Sequence, residues 1–190
     1  GKEENNKGTI VGGDTEALVL NNEYKAAATE EQSGLFTAQK VFGDWDNVKK
    51  DASFDIRMIA TDWPGRNEGV DPTFPKDADV IDGKHYKYVS HIVKKSDPEK
   101  GKPFDFGGMS FTQAGTYVYN IGEYVPGTGA ADRLPGVNYS NEMYRVTIVV
   151  KDDGEGKLVV ESSKMQKLMS AESWGDAIEP AVAVITNTYN

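Results

Sequence analysis

Beyond residue 34, apolar and polar residues alternate in many short runs, with the period of two that places one side chain in and the next out. The pattern predicts strands near 35–42, 53–60, 85–93, 104–111, 115–123, 143–151, 157–162 and 181–189. These runs are rich in Val, Ile, Tyr, Phe and Thr, which fit a pleated, half-buried surface. Asp152-Asp153-Gly154-Glu155-Gly156 reads as a hairpin turn, and Gln113-Ala114-Gly115 as a tight turn before the Tyr117 strand. The stretch 61–84, with Trp63-Pro64-Gly65, Asp71-Pro72 and Phe74-Pro75, reads as a long loop excursion, and 125–140 as a second loop. Met165, Leu168 and Met169 fall at helical spacing and predict a short helix within 164–178. Many strands without a strand–helix–strand rhythm give an all-β fold, an antiparallel β-sandwich.

Three polar residues interrupt that pattern on its apolar phase. Lys40 is in step with Phe36, Ala38 and Phe42; Glu123 with Tyr117, Tyr119 and Ile121; Asn187 with Ile185 and Tyr189. Taken singly, each has an ordinary reading: a strand lysine snorkels to solvent, a glutamate at a strand end faces water, and an asparagine near a terminus caps a turn. Taken together, a buried amine, acid and amide can react. Burial lowers the lysine pKa and raises that of the acid, so the pair can sit as neutral amine and neutral carboxyl. Protonated Glu123 then donates to the Asn187 side-chain carbonyl while the Lys40 nitrogen attacks the carbonyl carbon. Glu123 serves as general acid and base, ammonia leaves, and an amide joins the two side chains. Such a reaction needs no cofactor: folding supplies proximity, and a dry preorganised site supplies the rest.

Composition narrows the alternatives. The chain has 190 residues, enough for one large domain or one domain with part of another. It carries 30 acidic against 21 basic residues, a net charge of −9 with no block of Lys or Arg, so nucleic acid is not an expected partner. Without cysteine there is no disulfide, thiolate nucleophile or Cys-based zinc site. No run is long enough to span a membrane, and neither a signal peptide nor a wall-sorting tail is present; the expectation is an interior piece of a longer secreted parent. Asp44, Asp46 and Asp51 lack the spacing of a calcium loop and read as a solvated turn. His85 and His91 have no evident third ligand, so no metal is expected. Trp45, Trp63 and Trp174 read as core or loop anchors before they read as a sugar platform. No nucleophile elbow, phosphate loop or protease motif occurs, and no pair of carboxylates marks a glycosidase.

Three stretches carry a family resemblance. Phe36-Thr37-Ala38-Gln39-Lys40-Val41-Phe42, the block Phe104 to Glu123, and Ile185-Thr186-Asn187-Thr188-Tyr189 are similar to the lysine strand, glutamate block and closing asparagine strand of the pilin isopeptide-linkage domain of Gram-positive surface proteins, the family of the streptococcal T-antigen backbone pilin. Tyr139 through Leu158 shares its Tyr-rich strand and acidic glycine turn. The resemblance covers about 35–190. It implies an immunoglobulin-like sandwich of CnaB type, with Lys40 and Asn187 cross-linked and Glu123 catalytic. It also implies an extracellular stalk or shaft module of a cell-wall-anchored adhesin or pilus, partnered by neighbouring repeats and turning over no substrate. The excursion at 61–103 is longer than the family pattern, and Gly122 beside Glu123 is a small variation.

The leading segment resembles a closing strand in its own right. Ala17-Leu18-Val19-Leu20-Asn21-Asn22-Glu23-Tyr24 registers on Val182 to Tyr189, with Asn22 on Asn187. The expected division is therefore 1–28 as the last strand and linker of a preceding tandem repeat and 29–190 as the isopeptide-linked domain, with Asn22 unreacted. The alternative function is a ligand-binding sandwich that uses the 61–84 excursion to recognise a host glycan or matrix protein.

Overall fold

Phe54, Ile56, Met58 and Ala60 are each at most 5% exposed, whereas Asp55, Arg57 and Ile59 between them turn outward. This in–out alternation recurs in Met143–Asp152, where Tyr144, Val146, Ile148 and Val150 face the core. Such strands bury one face and must pack it against a second layer. A computed structural model shows that layer and describes residues 24–190. The expectations for Asn22 and for a closing strand over 17–24 fall, apart from Tyr24, outside the described residues.

Ten strands follow in order: β1 (Thr37–Phe42), β2 (Ser53–Asp62), β3 (Ile81–Asp82), β4 (Lys87–Lys94), β5 (Gly115–Tyr124), β6 (Val137–Asn138), β7 (Met143–Asp152), β8 (Leu158–Ser170), β9 (Ser173–Trp174) and β10 (Val182–Tyr189). Seven form one sheet in the order β3-β4-β2-β5-β7-β8-β9, and three form the other in the order β1-β10-β6. The protein is an immunoglobulin-like β-sandwich. Its pairings are antiparallel except one: β1 runs parallel to β10, with Lys40 opposite Ile185 and Phe42 opposite Asn187. The core joins Ala38, Ala183 and Ile185 of the small sheet to Ile56, Met58, Tyr119, Ile121, Val146 and Ile148 of the large one.

Two predicted elements are different in the structure. No helix forms in 164–178; β8 instead continues to Ser170, with Lys164 to Lys167 paired to Thr147 to Tyr144. Met165 is buried at 1% exposed but Met169 is 66% exposed, so the helical spacing never became one apolar face. Hydrogen bonding to a neighbouring ten-residue strand outweighed a weak local signal. The run 104–111 is extended but not a strand: only Phe104 and Met109 make bridges, to Ala38 and Gln32. Pro103 and the Gly107-Gly108 pair break the ladder, and Gly107 (φ 121°) takes a turn closed by its N–H to Asp105 Oδ1. Phe111 and Met109 still fill the core beside the narrow sheet.

The hairpin at Asp152–Lys157 and the 61–84 excursion have the expected character. The excursion holds a single 3-10 turn, Arg66–Glu68, and the short β3, and it is pinned to the body. Trp63 Nε1 donates to Val70 O at 2.7 Å, Tyr119 Oη donates to Thr73 O at 2.6 Å, and Phe74 is buried. Gly115 (φ 140°) lies where a Cβ would meet Pro64 Cγ at 2.6 Å, so the turn before β5 and the start of the excursion fit only with glycine there. Trp45 packs edge-on to Phe42, and Arg145 stacks on Trp174; each tryptophan anchors its own neighbourhood. The leading described residues lie along the sandwich, with Ala27 bridging Lys157 and Thr29 N–H donating to Phe111 O, and they form no helical turn.

Candidate functional site

The side chains of Lys40, Glu123 and Asn187 meet between the two sheets. Lys40 and Asn187 come from neighbouring strands β1 and β10 of the small sheet, while Glu123 reaches across from β5, where it sits opposite Ile56. Inward phase is what brings them together: each occupies a core-facing position of its strand. Lys40 and Asn187 are 1% and 2% exposed, and the Glu123 side chain is fully shielded.

Glu123 engages both partners, one with each oxygen. Lys40 Nζ donates to Oε1 at 2.7 Å, and Asn187 Nδ2 donates to Oε2 at 2.9 Å. The amide carbonyl is held elsewhere: Asn187 Oδ1 accepts the Ser140 backbone N–H at 2.8 Å. This corrects the sequence-based expectation that Glu123 would polarise the carbonyl. A backbone N–H can only donate, so it claims the oxygen and turns the amide nitrogen toward the carboxylate.

Burial sets the electrostatics. Desolvation drives the Lys40 amine below its ordinary pKa, against the pull of Glu123. Desolvation likewise pushes the Glu123 carboxyl above the usual carboxylate range, against Lys40 and the Asn187 hydrogen bond. Both shifts favour a neutral amine beside a neutral acid. An aromatic wall keeps water out: Lys40 Nζ lies 4.6 Å from the centroid of Phe54, which packs against Phe42, Trp45 and Tyr139.

Two contributors escaped the sequence reading, Ser140 and Glu142. The predicted loop 125–140 ends beside β6, whose pairing of Val137 with Tyr189 brings Ser140 alongside β10. Ser140 Oγ donates to Glu142 Oε2 at 2.7 Å and accepts the Glu142 N–H at 2.9 Å; the same Oε2 accepts the Thr186 N–H at 2.9 Å. Lys167 Nζ donates to Glu142 Oε1 at 3.2 Å. Burial pushes the Glu142 carboxyl up, but Thr186, Ser140 and Lys167 together outweigh it and hold it below the usual carboxylate range. The only available signal was the short polar run Ser140-Asn141-Glu142 ahead of a strand.

The histidine and aspartate candidates contribute no side chain to this site. His91 stacks on Phe104 at 3.6 Å, and Asp44 accepts from Asn47 Nδ2. Among the described residues, no three His, Asp or Glu side chains gather as a metal site. No described helix is long and apolar enough to cross a membrane.

Fold and site together define an immunoglobulin-like sandwich with a buried Lys–Glu–Asn triad bridging its sheets. Residues 36–190 match the Spy0128-like isopeptide containing domain family, FctA, and the chain belongs to that family. Among solved structures, the major pilin of Streptococcus pyogenes is similar at 16% identity, covering 89% of this chain and 52% of that one with a TM-score of 0.43. A point mutant of that pilin is similar at 15% identity, covering 88% and 51% with the same TM-score of 0.43. The chain thus spans about half the length of these pilin structures. No curated protein sequence matches it.

Proposed function

We propose that this chain is a structural shaft module of a bacterial surface pilus or adhesin, and that Lys40 and Asn187 join in a self-formed isopeptide bond promoted by Glu123. The observation that carries the reading is one fully buried carboxyl group in hydrogen-bond contact with both the amine and the amide nitrogen. Lys40 Nζ attacks Asn187 Cγ and gives a proton to Oε1; a proton from Oε2 goes to Nδ2; the Cγ–Nδ2 bond breaks and ammonia departs. One amide replaces another, so atoms and charge balance without a further reactant. Membership of the isopeptide-containing family supports the same chemistry. The module turns over no substrate. Its proposed setting is extracellular, in a wall-anchored parent, with residues 29–190 as the linked unit, the leading residues belonging to a preceding repeat, and neighbouring repeats as partners.

Intact mass tests the reading. The folded chain is expected to be lighter than its sequence by one ammonia, and digestion should yield one branched peptide containing Lys40 and Asn187. Glu123→Ala should show the full mass. A wild-type chain of full mass would reject the cross-link.

A further inference from the structure

A carbonyl under attack by an amine becomes a tetrahedral centre whose oxygen carries the developing negative charge. Preorganised donors aimed at that oxygen supply much of the stabilisation in acyl-transfer reactions. In this site the oxygen is Asn187 Oδ1, and the group aimed at it is the Ser140 N–H at 2.8 Å. Glu123 is fully engaged elsewhere, with Oε1 on the nucleophile and Oε2 on the departing nitrogen. The site divides its work between an acid that moves protons and a backbone dipole that faces the oxyanion.

The donor is held in place from two sides. Ser140 lies between β6 and β7, outside either ladder, where a backbone N–H has no fixed direction of its own. Glu142 supplies the direction. Its Oε2 accepts both the Ser140 hydroxyl and the N–H of Thr186, the residue immediately before Asn187. One carboxylate oxygen therefore fixes the donor-bearing turn and the acceptor-bearing strand to each other. Lys167, from β8, holds the second oxygen of Glu142.

We propose that the Ser140 backbone N–H is the oxyanion donor of the Lys40–Asn187 reaction and that Glu142 is the positioning residue that aims it. The inference rests on the cross-linking reading above. It assigns the 140–142 turn to the reaction and predicts that link formation depends on a main-chain group no side-chain scan would reveal.

The test uses full-length chain isolated in denaturant before it has folded, then refolded while ammonia loss is followed by intact mass. Replacing the Ser140 amide with an ester, by translating the α-hydroxy counterpart of serine at that position, deletes the N–H and keeps the side chain. Linking is expected to slow by about 100-fold or more, as for loss of one oxyanion donor. An ester chain that folds and links at the wild-type rate would overturn the assignment. Glu142→Ala is expected to slow linking by about 10-fold to 100-fold through misplacement of the donor. Glu142→Gln, which keeps an acceptor for Thr186 and Ser140, should recover most of that loss. If Glu142→Gln is as slow as Glu142→Ala, or if Glu142→Ala links at the wild-type rate, the positioning role fails even should the ester chain not fold. If wild-type chain never loses ammonia, the cross-linking reading itself fails, an outcome separate from slow variants beside a fast wild type.

Discussion

Lys40 and Asn187 lie on adjacent parallel strands, two positions out of register, and touch the two oxygens of the same glutamate. The offset suits their lengths. Lysine has a four-carbon stem that can cross the diagonal, while the short asparagine stays close to its own backbone. The amine and the amide thus approach from different points on one sheet and converge under Glu123, which descends from the other. A register shift of one residue would turn either side chain to the outer face and dissolve the site.

The cross-link should appear as thermal stability. Lys40 and Asn187 are 147 positions apart (40 to 187), and closing so long a loop is worth roughly 5 kcal/mol by analogy with a disulfide. Lys40→Ala, Glu123→Ala and Asn187→Ala should each keep full mass and melt below the wild type in scanning calorimetry. Reductant should leave the wild-type transition unmoved, since an amide has no sulfur–sulfur bond to reduce. A Glu123→Ala chain that melts with the wild type would count against a stabilising link.

Link formation should depend on pH as a bell. The reactive form has a neutral amine and a neutral acid, one proton on the pair. At low pH the pair takes a second proton on Lys40 and loses its nucleophile; at high pH it gives up the proton on Glu123 and loses its acid. These limbs belong to the pair. Because burial lowers the lysine and raises the glutamate, the optimum should lie between their ordinary values of 10.5 and 4.5. Refolding at a series of pH values, with ammonia loss read by mass, measures the profile; a rate rising steadily to high pH would show that the amine alone controls it.

Two methionines separate strand from helix in the 164–170 segment. Met165→Ala should cost about 2–5 kcal/mol, because its side chain is buried in the core. Met169→Ala should change stability by less than about 0.5 kcal/mol, because its side chain is exposed. Urea unfolding in a Glu123→Ala background, free of the link, checks both. Comparable losses would place the two on one buried face.

The triad was legible because buried positions alternate in β1, β5 and β10, so a polar residue on the inner phase stands out. Lys40, Glu123 and Asn187 each broke that phase, and each is at the core-facing position it marks. Ser140 was invisible because its contribution is a main-chain N–H, which every residue except proline possesses. Glu142 was hidden because its partners, Thr186 and Lys167, are 44 and 25 positions away and no local pattern joins them. The 104–111 run misled for the opposite reason: its aromatics do reach the core, Phe111 buried and Phe104 and Phe106 partly so, but its glycines and the preceding proline deny it a ladder.

The parallel pairing of β1 with β10 has a mechanical consequence. Thr37 enters beside Val182, and Tyr189 leaves at the far end of the same pair. Tension applied to the two ends of the domain therefore slides these strands lengthwise, a shear that their hydrogen bonds resist together and not one after another. With the proposed bond in place the pull passes from β1 through the Lys40 and Asn187 side chains into the last residues of β10. Everything folded between them would bear no strain. A filament of such units would have a fixed length, transmitting a tug along its whole extent without paying out chain.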